Sequence, residues 1–202
     1  MLLGCITVVA QAQPEASNWY FGQAAGLSFN QTPPVGLTDG LIRVEEGSAS
    51  ISDHQGNLLC YSDGNNVYNK RHQLVENGSG LAGNTSSTQG VLLIPQPGND
   101  SLIYVFTIGA VEELLENGFK FSVLNIKTNN GQGKIISKNN LLLDETYERI
   151  SAVRHCNRQD VWIVVRRNNS DLYYAYLLTA AGIQPNPVIR ASGFVVNGDI
   201  RF

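Results

Sequence analysis

Residues able to do chemistry are sparse in this sequence and stand apart from one another. The three histidines are His54, His72 and His155. None has the H-x-H, H-x-x-x-H or C-x-x-C spacing that brings two zinc ligands together locally, so metal binding has no support from spacing. Asp53, Asp63, Asn57, Asn65 and Asn66 offer oxygen ligands of the kind Ca²⁺ takes. The twelve-residue loop with its closing acidic ligand is missing, and Asx turns, in which such side chains accept nearby backbone N–H groups, account for the same residues. "GSGLAG", Gly78–Gly83, satisfies G-x-G-x-x-G, but "NTSSTQ" and a strand follow it. There is no helix N-terminus to receive a pyrophosphate, and the stretch reads as a glycine-rich connection. Ser86 and Ser87 lack the G-x-S-x-G elbow of a hydrolase nucleophile. No catalytic residue, cofactor or metal ligand is therefore assigned, and the chain reads as non-enzymatic.

The aromatic residues are the remaining candidates. Trp19, Tyr20, Phe21, Trp162, Tyr173, Tyr174 and Tyr176 could stack on sugar rings. Alternation in "LYYAY" puts Tyr174 and Tyr176 on one face and Tyr173 on the other, so part of the set belongs to a core. Trp19, Trp162 and Tyr174 are the candidate ligand-facing aromatics.

Composition narrows the field of partners. The chain has 202 residues, 43% of them hydrophobic, enough for one domain with a substantial core. Only 15% are charged and the formal net charge is -3, which leaves no electrostatic footprint for nucleic acid. Twenty glycines, with many Asn and Ser, favour an all-β protein rich in turns. Residues 1–12 read as a secretory signal: an apolar run from Leu2 to Ala10 leads into Ala10-Gln11-Ala12, a small-x-small cleavage pattern, though without the basic start such signals carry. The run is too short to span a bilayer, so no membrane insertion is expected of residues 13–202. "LLGC" has the form of a lipoprotein box that would anchor Cys5, but the sequence stays apolar beyond it. Cys60 and Cys156 fall in separate strands and are expected to be buried as small apolar side chains.

These residues must be positioned by strands. "SASISDHQGNLLCYSDGNNVYN", Ser48–Asn69, alternates apolar and polar residues and breaks at Asp53–Asn57 and Asp63–Asn66, as an antiparallel meander does. The pattern recurs about three times. Strands are expected at Ser48–Ser52, Leu58–Ser62 and Asn66–Leu74; at Gly90–Pro95, Leu102–Ile108, Lys120–Ile126 and Lys134–Leu143; and at Ile150–His155, Asp160–Arg166, Leu172–Thr179 and Pro187–Ala191. Each full unit is four antiparallel strands in roughly 45–60 residues, the spacing of a propeller blade. "PQPGND" (Pro95–Asp100) and "NNGQG" (Asn129–Gly133) are hairpin connections, and "HCNRQD" (His155–Asp160) takes the place in its unit that "PQPGND" takes in the preceding one. Gly109–Gly118 reads as a loop with one helical turn. Asn18–Phe29 is expected to be an extended start that completes a last blade. Three units and a start fall short of the usual four to eight blades, so the fold class is a partial β-propeller, WD40/YVTN-like, with a further unit beginning at "GDIRF".

Several blocks carry a resemblance. "NWYFG" at Asn18–Gly22, "SISDHQGNLLCYSDGNNVYNKRHQ" at Ser50–Gln73, "NGSGLAGNTSSTQ" at Asn77–Gln89, "NNGQGK" at Asn129–Lys134 and "YYAYLLTAAG" at Tyr173–Gly182 resemble the N-terminal propeller-like region of large secreted bacterial proteins. Those proteins bear a gliding-motility-associated C-terminal domain, the type B sorting domain of the type IX secretion system. The resemblance implies export to the cell surface or medium by that machinery, through a C-terminal domain that this sequence does not include. The expected function is a scaffold for adhesion, surface display or protein interaction, with a protein or glycan at the cell surface as partner. A carbohydrate-binding module, and the propeller part of an extracellular enzyme whose catalytic residues lie elsewhere, are the alternatives.

Overall fold

The short alternating runs and tight turns build four antiparallel sheets in chain order. The computed structural model describes residues 13–110 and 117–195. Sheet I holds β1 (Asn18–Phe21), β2 (Ala25–Ser28) and β3 (Val35–Leu37); sheet II holds β4 (Ala49–Ser52), β5 (Leu58–Ser62) and β6 (Val67–Asn69). Sheet III holds β7 (Val91–Pro95), β8 (Leu102–Ile108), β9 (Phe119–Asn125) and β10 (Lys134–Leu143). Sheet IV holds β11 (Ser151–Arg154), β12 (Val161–Arg166), β13 (Leu172–Thr179), β14 (Gly182–Ile183) and β15 (Val188–Ala191). β14 and β15 both pair with β13, at its two ends. The first strand of every sheet is an edge strand.

The turns follow from Asx chemistry. Between β4 and β5 the Asp53 carboxylate accepts the N–H groups of Gln55 and Asn57, both at 2.9 Å, and Gly56 takes the positive φ that the reversal needs. Asp63 does the same between β5 and β6, accepting from Asn65 and Asn66. Asn99 and Asn157 repeat the device after β7 and β11. Between β9 and β10 the turn passes through Asn129 and Asn130, both in the left-handed region, where Asn is tolerated better than most residues.

Alternation then sends neighbouring side chains into different interfaces. On β8, Ile103 and Val105 join Ile51, Cys60, Val67, Leu124 and Ile135 in the core between sheets II and III. Tyr104, Phe106 and Ile108 of the same strand face the other way, with Phe119, Ile163, Tyr176 and Leu178, between sheets III and IV. Sheet III is thus covered on both faces, as its long apolar strands require. On β5, Cys60 faces sheet III, while Tyr61 meets Tyr20 and Ile42 between sheets I and II. Each such side chain, fully buried, contributes about 1.5–3 kcal/mol. Among the described residues, nothing covers one face of sheet I and one face of sheet IV. Trp19 and Phe21 stay exposed at one end, Val153 and Val188 at the other.

Several expectations need correction. Asn18–Phe29 is not a single extended segment: positive φ at Gly22 and Ala24 folds it back into β1 and β2, and β3 completes an independent sheet. There are four sheets, not three units and a start. The strand expected over Asn66–Leu74 ends at Asn69, whose side-chain oxygen accepts from the N–H groups of Arg71 and Gln73 and turns the chain. Cys156 is exposed because β11 stops at Arg154 and the cysteine falls in the turn; Cys60 is buried, and burial pushes its thiol up to about 12. Gly109–Gly118 is closed at its base by the Gly109 N–H bonding to the Gly118 carbonyl, while its centre, the signal segment 1–12 and "GDIRF" lie outside the described residues.

Candidate functional site

A cavity of about 770 Å³ opens where first strands of three sheets approach one another. β1 lies against β4 and β4 against β7. β7 and β11 are joined just ahead of their first residues, where the Gln89 N–H bonds to the Glu148 carbonyl, and beyond that point the groove opens between them. Its walls are the ends of β4, β7 and β11 with the turns that follow each: Asp53 and His54, Gln96 to Asp100, Arg158 and Gln159. Leu59, Ile94, Leu102 and Val161 make an apolar floor. A concave apolar floor with a polar rim is the general form of a binding site.

The charges on the rim are unequally engaged. Glu15 receives His54 Nδ1 at 2.7 Å, and Asp100 receives Lys127 Nζ at 2.7 Å. Desolvation works to raise Asp53, but bonds from the Asn57 side chain and from the Asn57 and Gln55 N–H groups outweigh it and hold the carboxyl below its usual range. Arg154 and Arg158 line the opposite wall. Among the described residues neither guanidinium has an ion-pair or hydrogen-bond partner. Sequence reasoning passed over both arginines; the signal available was positional, since Arg154 ends β11 as Ser52 ends β4, and Arg158 takes the place in the following turn that Gly56 takes after β4.

The aromatic candidates part company. Trp19 is 50% exposed, tilts against Phe29 at 4.9 Å between ring centroids, and donates its indole N–H to the Ala16 carbonyl. Trp162 is half-buried beside His155, 5.5 Å away, in the row Val153–Trp162–Leu177 on the uncovered face of sheet IV. Tyr174 is buried. It lies with Tyr176 in the core against sheet III because the period of two on β13 puts both inward. The structure does not bring the three together.

The histidines are also dispersed: His54 and His155 lie in turns, while His72 belongs to a chain between sheets I and II. Tyr61 accepts the Leu41 N–H and stands 3.2 Å from His72 Nδ1; His72 Nε2 is 3.2 Å from Asp39, which also accepts the Tyr20 hydroxyl at 3.0 Å. Donors and acceptors match along this chain when Nε2 carries the proton and Tyr61 donates to Nδ1. Burial pushes Tyr61 up to about 12; burial first, then Asp39, holds Tyr20 well above its ordinary value. With Tyr61 inaccessible, the arrangement acts as a clasp between sheets.

The glycines of "GSGLAG" serve close approach and turning. A Cβ on Gly83 would stand 2.5 Å from the Gly64 carbonyl oxygen, and Gly80 has φ +68. Ser87 is fully buried, its hydroxyl directed at the Ile108 carbonyl. Among the described residues no group of three or more His, Cys, Asp or Glu side chains is placed to hold a metal ion, and no helix is long and apolar enough to cross a membrane. Compared with protein-family models, with curated proteins and with solved structures, the chain finds no match in any of the three.

Proposed function

We propose that this chain is a non-enzymatic β-propeller module, or part of a larger ring, that serves a secreted or cell-surface protein as a rigid scaffold for adhesion, surface display or protein interaction. The observation that carries this reading is the stacking order. Sheets I to IV follow one another in sequence, each packed face to face on the next, with β1, β4 and β7 side by side along one line. Blades around an axis have this relation, and the groove then corresponds to one mouth of the central channel. Export through the type IX machinery belongs to the same proposal and rests on the resemblance of the sequence blocks.

Two measurements test it. Surface biotinylation of intact cells should tag the native protein, whereas recovery from the cytoplasm alone would overturn the localisation. An experimental structure of the longest natural form should show the sheets radiating from one axis, and a parallel sandwich arrangement would overturn the propeller. The exposed Trp19–Phe29 pair favours a carbohydrate-binding second reading, for which a glycan-array signal abolished by Trp19→Ala is the expected result.

A further inference from the structure

We propose that the groove binds an extended, acidic polypeptide segment of a separate protein, added as a strand to the free edge of β11. This rests on the reading of the groove as an interaction site, and it names the chemistry of the partner.

The argument begins with the four first strands, each of which presents an edge. On β1 the outward groups of Tyr20 are satisfied: its N–H donates to Ser50 Oγ at 2.8 Å, and its carbonyl accepts from Ser48 Oγ at 3.1 Å. β4 is flanked on its two sides by β1 and β7. β7 ends at the groove in Pro95, which has no N–H to offer, a common way of blunting an edge. β11 has none of these devices, and all four of its residues are exposed.

The register says which groups are free. The His155 N–H bonds to the Asp160 carbonyl, so with constant register the pairs Val153–Trp162 and Ser151–Val164 also carry the ladder bonds. The N–H and C=O groups of Ala152 and Arg154 therefore point away from β12. Both residues line the groove. Among the described residues these outward groups have no partner. An extended peptide supplies backbone donors and acceptors at the matching spacing, and alternate side chains can settle on Leu59, Ile94 and Leu102.

Charge selects the class of peptide. The groove's carboxylates, Glu15, Asp53 and Asp100, already have partners, while Arg154 and Arg158 are uncommitted. An acidic side chain on the incoming strand completes them. A basic one would meet two guanidinium groups in a partly desolvated site.

The test uses the whole chain and a fluorescein-labelled heptapeptide that alternates valine with glutamate and threonine, followed by fluorescence anisotropy. Saturable binding is expected, weakened at least about tenfold when lysine replaces glutamate, and weakened similarly by Arg154→Ala combined with Arg158→Ala. Ala152→Pro deletes an outward N–H without touching a ladder bond and should weaken binding by at least about tenfold. If that variant fails to fold, a peptide N-methylated at alternate residues makes the same test on the unaltered protein. Amide exchange at Ala152 and Arg154 should slow on binding. No saturable binding of the acidic peptide, or equal binding of its N-methylated form, would overturn the proposal. A glycan or folded protein that binds the groove where the peptide does not would overturn it too, while leaving the interaction-module reading intact.

Discussion

Tyr61 shows how much one side chain can carry here. Stacked between Tyr20 and Tyr68, with ring centroids 4.5 and 5.3 Å away, it also links Leu41 to His72. Tyr61→Phe keeps the stack but strands the Leu41 N–H and His72 Nδ1, and a loss of about 1–3 kcal/mol is expected in urea unfolding. The raised groups set an alkaline limit. Tyr61 and Tyr176 go from 10.0 to about 12 and Cys60 from 9.0 to about 12, all chiefly through burial. A raised value in the folded state contributes stability that is complete below the unfolded value and lost as pH rises through the folded one. Unfolding is therefore expected between about pH 10 and 12, followed by tyrosinate absorbance with near-ultraviolet circular dichroism; ionisation of all eight tyrosines at their ordinary value in a folded chain would contradict it. Asp53 works in the opposite sense: held below 3.8, it stabilises its turn above that value and ceases to as pH falls through the depressed one. The Asx turns at Asp53 and Asp63 were legible because their chemistry is local. The exposure of Cys156 and the burial of Tyr174 were not, since one depends on where β11 stops and the other on which face sheet III covers.

At the scale of elements, glycine fixes how closely segments approach. Gly83→Ala would drive a methyl group into the Gly64 backbone at the turn after β5, and about 1–3 kcal/mol of destabilisation is expected by thermal denaturation. Gly80→Ala, strained by its φ alone, should cost about 1 kcal/mol. Most strands of sheets II to IV were legible because period-two alternation and Asn, Asp and Gly breaks agree within each run, the early end of β6 and the two-residue β14 excepted. Sheet I was not. The turn in "FGQAA" is carried by Ala24 as well as Gly22 in the left-handed region, and alanine gives no such signal. The groove escaped for a further reason: its walls come from sheets II, III and IV, and nothing local marks residues that meet only after the sheets pack.

At the scale of the whole molecule, the described sheets end in two apolar faces. On sheet IV the rows Val153–Trp162–Leu177 and Val164–Ala175–Val188 lie uncovered, and on sheet I Trp19 and Phe21 do. Faces of this construction are covered everywhere inside the stack, so the chain alone is expected to self-associate as concentration rises. Light scattering should show this, and Val153→Glu with Trp162→Thr should reduce it. A monodisperse wild-type monomer at all concentrations would show that these faces do not drive association. All-β architecture was legible from composition and turn density, whereas the exposure of particular faces depends on how the sheets stack.

The chain-order succession of sheets has a mechanical consequence. Every ladder within a sheet closes before the next sheet begins, and the sheets are joined by apolar packing and local groups of hydrogen bonds, such as Ser48 and Ser50 on Tyr20, Glu76 on Gly133 and Ile135, or Gln96 on Ala180. Pulled from its two ends, such a chain should yield in blocks and not by continuous peeling. Sheet III, Val91–Leu143, would release roughly 180 Å of contour at about 3.4 Å per residue. In the export proposed above, a chain threaded through a narrow pore from its N-terminus could form each sheet on the exposed face of the one before it, and the folded sheets would then act as a ratchet against sliding back.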